Sequence, residues 1–570
     1  MKPINKLIAV AQGQAPGDLV LKHAHIFNVF TGKFAKGDVA VVDGYIAGIG
    51  QYSGTKELDL TGKFLTPGFI DGHVHMESSM VSPGEFAKVV VPAGTTTLIA
   101  DPHEIANVVG EKGIQYILDA AEGLPLDIFV MLPSCVPATV LETSGAKLTA
   151  HELAKFINHP RVLGLGELMD YPGVLQQNEE ILAKIKLAEG KLIDGHAPEL
   201  SGKKLTAYIA AGIGSDHECV TVDEAMERLE QGMYIMLREG SAAKNLINLL
   251  PMVNCHTARR CMFATDDRHP GDLITLGHIN HMVQMAVAGG IEVATVLQMV
   301  TINPATYFSL KDFGAIAPGY YADLLVFDDL ESWRPSMVFK KGQMVAKNGK
   351  IVFTSLQMND DQIRETMYLG DIHLNQLKLK ANSTLARVIG LVPHQLITTA
   401  LELEMEVTNG EFVQDIANDI LKMAVFERHH ATGNVGVGLV KGFGMHSGAI
   451  ASTIAHDSHN VVVIGASDPD MIMAVQELER IQGGIVIVNK GKVLGTLALP
   501  LAGLMADQDI HIVYDQLILL HNIASELGVN PCYDPFMTLA FMSLPVIPTL
   551  KLTDKGLVDV NKLVISSVSI

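Results

Sequence analysis

The chain reads as an α/β protein: an eight-stranded (β/α)8 barrel of TIM type, with a small composite β-sandwich and an α+β C-terminal domain. Three observations predict it. Strand and helix patterns alternate over about 240 residues, the expected size of eight β-α units. Two β-rich pieces with matching alternation flank that stretch, and a third region beyond residue 359 carries strands and helices of its own. A chain of 570 residues also exceeds what one hydrophobic core organises.

From the start, residues 18–30 alternate apolar and polar positions as a half-buried strand does, and residues 38–50 continue the pattern around Asp43-Gly44, a hairpin signal,. The pattern returns at 322–327 and 336–346. We therefore expect residues 1–64 and 312–358 to form the composite sandwich, 65–311 the barrel and 359–570 the C-terminal domain. Within the barrel, strands are expected to end near Asp71, Asp101, Ser134, Glu167, Asp194, Ser215, Leu237 and Thr265. Helices are expected at 178–188 and 222–230 among others. The sixth strand, 211–215, is weak by propensity and is counted because Ser215-Asp216-His217 comes directly at its end. In the third region, 484–495 reads as a strand, a turn at Asn489-Lys490-Gly491 and a second strand,.

Composition narrows the function. Hydrophobic residues make up 48%, yet no uncharged apolar run approaches the roughly 20 residues of a spanning helix, and the N-terminal apolar stretch is too short for a secretory signal. A soluble, cytoplasmic protein is expected. The net charge of −20 and the lack of basic runs argue against nucleic acid as a partner. Five scattered cysteines without a CxxC pair argue against a disulfide framework and a thiolate zinc site. A large apolar chain with an extra domain leads us to expect a homo-oligomer, dimer or higher.

The 22 histidines carry more. His73 and His75 close PGFIDGHVH (67–75), and on extended backbone residues two apart share a face. Alone, such a pair is more often solvent-facing or hydrogen-bonded histidines at a strand end than a metal site. Its companions favour a metal: Glu167 ends strand four, His196 follows strand five, His217 strand six, and Asp266 strand eight. All are expected at C-terminal strand ends, where barrel enzymes place catalysis. Four imidazoles and two carboxylates suit Mn, Fe, Zn or Co. Six ligands exceed one catalytic ion's need, so two ions bridged by Glu167 are expected.

This order of ligands resembles that of the amidohydrolase superfamily, many of whose members bridge with a carboxylated lysine on strand four. Glu167 stands there instead, which separates the chain from dihydroorotases and hydantoinases. More closely, HVHMESS (73–79), DPHEIAN (101–107), GELMDYP (166–172), DGHAP (194–198), SDHEC (215–219), LREGS (237–241) and ATDDRHP (264–270) are similar to segments of bacterial-type adenine deaminases. So are AHDSHN (455–460) and LPLAGLM (499–505) in the third region. The resemblance covers nearly the whole chain.

It implies hydrolysis of adenine to hypoxanthine and ammonia by water activated on divalent metals, Mn or Fe ahead of Zn, with attack at C6 in purine salvage or catabolism. Asp266 is the candidate proton shuttle, and Glu77 and Glu104 are candidate catalytic carboxyls. His103, Asp267, Arg238 and Glu239 are candidate contacts to the base. Salt bridges or helix caps would account for Glu77, His103, Glu104, Arg238 and Glu239 equally well, and Asp267 could instead hold Arg268 or His269. Glu199 lies at HxxE spacing from His196, but the family does not generally require it. His456 and His459, with His429-His430 nearby, read as hydrogen bonding at a domain interface, with a lid or an additional metal as alternatives. Cys219 and Trp333 read as packing residues. The competing functions are another amidohydrolase acting on a different aminated heterocycle or cyclic amide, and a silent scaffold that keeps the barrel.

Overall fold

The computed structural model describes residues 2–354, 358–393 and 395–570; Met1, residues 355–357 at the expected end of the sandwich, and His394 in the third region lie outside it. The barrel strands are β1 (Phe69–His75), β2 (Thr95–Ala100), β3 (Asp127–Leu132), β4 (Val162–Leu168), β5 (Leu192–Gly195), β6 (Ser215–Asp216), β7 (Tyr234–Arg238) and β8 (Cys261–Ala264). β1 to β5 pair in parallel in order, and β6, β7 and β8 form a second parallel run. The continuation of β8, Asp266–Asp267, pairs with Val74 and His75 of β1. On the other side, Gly214 N–H donates to Ile193 O at 2.9 Å, so the two runs curl into one barrel.

Two strands differ from the expected bounds. β1 continues past Asp71 through His75, which puts both histidines on the strand itself. β6 is two residues long and begins where the pattern expects it to end; 211–214 is a turn, because Gly212 at φ +105 cannot continue an extended chain,. The helices keep to their signals. Asn178 accepts from Glu180 N and Ile181 N to start Glu179–Leu187, and Thr221 with Glu224 forms a capping box on Val222–Glu230,.

The barrel interior is filled, not hollow. Ile70, Ile99, Met131, Met236 and Met262 point inward and close on Tyr307, Phe308 and Leu310. Each such side chain, fully buried, contributes about 1.5–3 kcal/mol. This packed layer supports the rim where the polar groups stand.

The two flanking β-rich pieces join in one sheet, through Phe64–Pro67 paired antiparallel with Leu324–Phe327. The sheet folds over its own core: Ile46 N–H donates to Tyr320 O and Ala322 N–H to Gly44 O. Asp43 and Gly44 both take positive φ in the hairpin turn, as the sequence signal requires,. Chain passage into the barrel occurs at Gly68, where a Cβ would fall 2.1 Å from Thr96 Oγ1. Trp333 is buried against Phe327.

The C-terminal region is built on an eight-stranded sheet with helix Asp468–Ile481 packed on it, and a three-stranded sheet follows. The hairpin at Asn489 is present. Among the described residues no helix is long and apolar enough to cross a membrane.

Candidate metal centre and active site

The rim gathers His73, His75, Glu167, His196, His217 and Asp266 from strand ends and the extension of β8. Glu167 is central. Its Oε1 lies 2.9 Å from His73 Nε2 and 2.8 Å from His75 Nε2. Its Oε2 lies 2.8 Å from His196 Nδ1 and 3.7 Å from His217 Nε2. Asp266 Oδ1 stands 3.0 Å from His75 Nε2 and 3.7 Å from His73 Nε2. One carboxylate thus serves two pairs of imidazoles, an oxygen to each.

Hydrogen-bond accounting shows what this set accepts. His75 Nδ1 lies 2.9 Å from the Asp101 carbonyl oxygen, which needs a proton on Nδ1 and leaves the Nε2 lone pair facing the cluster. His73 Nε2 and His75 Nε2 face each other at 3.1 Å, and Glu167 Oε1 and His196 Nδ1 are buried without a well-aligned partner. Converging lone pairs of nitrogen and oxygen with no thiolate among them fit a divalent cation. His73, Glu167, His217 and Asp266 can each offer one ligand atom within 4.8 Å of the others.

Burial raises the Glu167 carboxyl, but His217, His73 and His75 outweigh it and hold the group well below its usual range. Burial likewise opposes ionisation of Asp266, and Arg238 and His75 overcome it. Burial and the His73 charge push His217 down to about 3, so it stands neutral, as a metal ligand must. Burial also lowers His73, His75 and His196, but Glu167 outweighs it at the first two, and Glu218 with Glu167 at the third, which is raised to about 9. These three hold protons wherever a cation does not take their place,.

Supporting residues set these positions. Asp71 Oδ1 accepts from His73 N at 3.2 Å and Thr265 N at 3.1 Å, locking β1 to the end of β8. Asp101 Oδ2 accepts from Glu167 N at 2.9 Å; Gly166 permits this, because a Cβ there would lie 2.0 Å from that oxygen. Asp266 is in the left-handed region at φ +56, which Asp tolerates better than most residues. Its Oδ2 accepts from Arg238 Nη1 at 2.7 Å.

The remaining candidates fall at different distances from this centre. His103 is adjacent, with Nδ1 3.9 Å from Glu167 Oε1. Glu77 Oε1 accepts from Ile105 N at 3.1 Å, at the start of helix His103–Val109, and burial pushes its carboxyl up to about 7. Glu104 is met from the C-terminal region by His456 Nδ1 at 2.8 Å and by His459 Nε2. Arg238 is committed to Glu218 and Asp266. Glu239 is buried, and its backbone carbonyl accepts from Arg268. Asp267 accepts from Ser78 Oγ. Glu199 is exposed at φ +59 and does not join the cluster.

A cavity of about 330 Å³ opens over the rim, lined by Ser241, Asp267 and His269 of the barrel and by His456, Tyr514 and Phe541 of the C-terminal region. The aromatic wall escapes sequence reasoning, since nothing in its spacing separates it from core. Asp101 and Glu218 escape it too. Asp101 carried the visible signal of a strand end, and its buried Oδ1 has no partner.

A filled parallel barrel with His, Glu and Asp converging at its C-terminal rim is the build of a metal-binding amidohydrolase, and the model described as "Amidohydrolase family" matches residues 64–352. A second, "Adenine deaminase C-terminal domain", matches residues 395–563. The chain is 62% identical to "Adenine deaminase 2" of Carboxydothermus hydrogenoformans over 100% of both chains. It is 49% identical to "Adenine deaminase" of Desulfatibacillum aliphaticivorans over 98% of both. The chain belongs to the adenine deaminase family.

Proposed function

We propose that the chain hydrolyses adenine to hypoxanthine and ammonia at the β1–β8 rim. The observation that carries this is the Glu167-centred cluster in a chain whose full length aligns with adenine deaminases. The cluster would hold two divalent ions, Mn or Fe ahead of Zn, through His73, His75, Glu167, His196, His217 and Asp266. Bound there, such ions lower the pKa of water toward ~7 and supply the nucleophile.

The chain's own side chains handle the protons. Asp266, aimed by Arg238, accepts the proton of the attacking water and returns it to the leaving amino group. Glu104 is the donor to N1, which makes C6 electrophilic. Glu77, raised to about 7 by burial, is the other candidate; Glu104 is preferred because an imidazole that can resupply its proton, His456, stands 2.8 Å from its Oε1. Asp267, on the cavity wall, accepts a hydrogen bond from the imidazole edge of the base, and His103 stands beside it as a second contact. Arg238 and Glu239 act as supports for Asp266 and for the loop after β7.

The chain is divided as 1–64 with 312–358, 65–311 and 359–570, supported by the separate sheets of the three regions. A homo-oligomer is supported by the exposed Val493, Leu494, Ile512 and Leu519 on the C-terminal region, an apolar grouping that association would cover.

Metal-loaded protein incubated with adenine should lose adenine absorbance and release equimolar ammonia. Inertness across Mn, Fe and Zn loadings, with turnover of a cyclic amide instead, would overturn the assignment.

A further inference from the structure

Glu104 is gripped by one short segment of the C-terminal region, Ala455–Asn460, and the two histidines in that grip are not equivalent. His459 is 1% exposed and His456 8%. Ala455 N–H donates to His459 Nδ1 at 3.2 Å, which requires a lone pair on Nδ1 and places the ring proton on Nε2. That proton faces Glu104 Oε2. A cation between them is thereby disfavoured, because a ligating Nε2 would need the proton on Nδ1, against the Ala455 N–H. His459 is a fixed neutral donor.

The segment is anchored on every side. Arg428, wholly buried, donates through Nε to the His459 carbonyl. Arg428 N donates to Asn460 Oδ1 at 3.2 Å, and Asn460 Nδ2 donates to the barrel's Thr143 O at 2.8 Å. His429 Nε2 lies 2.7 Å from Ser458 O, and His430 Nε2 lies 2.9 Å from Ser144 O of the barrel. Side chains held this way keep their geometry as charge moves.

His456 faces the other way out. Its Nδ1 lies 2.8 Å from Glu104 Oε1, its ring stacks on Phe541 at 4.4 Å, and it lines the cavity over the rim. The charged and titratable groups around it are Glu104 from helix His103–Val109, Asp267 and His269 from the segment after β8, and Asp457 and His459 from its own segment. Three carboxylates outnumber the cations there. Burial lowers the imidazole's affinity for a proton, but Glu104 outweighs it and lifts the group to about 9.

We propose that segment Ala455–Asn460 completes the proton-delivery side of the barrel site, with His459 as the positioning residue that aims Glu104 and His456 as the carrier of the proton that Glu104 passes to the base. Burial opposes ionisation of Glu104, but His456, His459 and His103 outweigh it and keep it a carboxylate at rest. In the step, the Nδ1–H bond of the His456 imidazolium breaks and an O–H bond forms on Glu104 only in passing, as N1 draws the proton. That proton then moves to N1, leaving Glu104 a carboxylate and His456 neutral until water in the cavity recharges it. The proposal rests on Glu104 as the N1 donor.

The test uses the full chain, metal-loaded, with adenine as substrate, comparing His456→Gln, His459→Ala, His459→Gln and Glu104→Gln. Metal content and melting temperature are recorded for each. His459→Ala should lower kcat by about 10–100-fold with KM changed little, and His459→Gln, which keeps an N–H donor, should recover part of it. His456→Gln keeps a donor but carries no exchangeable charge. The alkaline limb of its kcat/KM profile should therefore move downward by about two pH units or more, toward the ordinary carboxyl range. Wild-type kcat and an unmoved alkaline limb in His456→Gln, with Glu104→Gln inactive, overturn the proposal and leave the Glu104 assignment standing. Full activity in Glu104→Gln overturns that assignment and the proposal with it. Should His459→Ala fail to fold, the limb of His456→Gln decides alone.

Discussion

The molecule contains two buried glutamates each ringed by histidines, and they are built for different work. Around Glu167 the four imidazoles come from the ends of three strands, and at His75 the other nitrogen is tied to the Asp101 carbonyl, which leaves Nε2 for the cluster. Around Glu104 two imidazoles come from one loop and His103 from its own helix, and a backbone N–H on the far side of His459 forces its proton toward the carboxylate. The contrast teaches that the hydrogen bond on the remote ring nitrogen decides whether a His–Glu cluster presents lone pairs or protons.

The comparison breaks most visibly if the two clusters respond alike to metal. Chelation, or Glu167→Ala, should abolish bound metal and reduce turnover at least about a thousandfold, because several kcal/mol of barrier lowering is lost. Metal analysis beside an ammonia assay checks it. Glu104→Gln should reduce kcat by about 10²–10⁴-fold, the usual worth of a general acid, while metal content stays at the wild-type level. Loss of metal in that variant would erase the distinction. Arg238→Met should weaken metal affinity or activity by about 10–100-fold, since Asp266 loses the partner that holds its Oδ2; titration of the metal-depleted protein measures it.

How far these clusters could be read from the chain differs for the same physical reason. The Glu167 ligands lie at strand ends, and strand periodicity with the rim rule locates them without any knowledge of contacts. HVH at 73–75 shows its shared face directly in its spacing. The fold was legible likewise, except at β1, which runs on past Asp71 to His75, and at β6, where only two residues are hydrogen-bonded after a glycine turn. His459 and Glu104 are 355 residues apart, and no local pattern links a loop histidine to a helix start in another region. The cavity's aromatic wall, Tyr514 and Phe541, was hidden because apolar residues at helical spacing look the same whether they face core or cavity. Glu199 sat at suggestive spacing, yet its left-handed backbone turns it to solvent.

The smallest effect tests a buried charge outside both clusters. Lys551 donates to Leu396 O at 2.8 Å and Phe541 O at 2.9 Å, and burial pushes it down to about 7. The unfolded chain takes up this proton below about pH 10.4, the folded protein only near 7. Its contribution is therefore full above pH 10.4, falls as pH drops toward 7, and is flat below that. Lys551→Met removes this dependence. The melting temperature of the variant relative to wild type should rise by a few degrees between pH 9.5 and pH 7, reflecting at most a few kcal/mol. A constant difference would mean the amine stays charged inside.

Trp333 is the one tryptophan of the chain and is buried beside Phe327 in the folded-over sheet. Indole emission is consequently a local signal, confined to the part of the molecule that holds both chain ends of the barrel together. Far-ultraviolet dichroism, by contrast, averages over all three regions. Heating while both are followed separates a cooperative collapse of the whole chain from early loss of the C-terminal sheet, which would weaken the dichroism while the emission maximum stays blue.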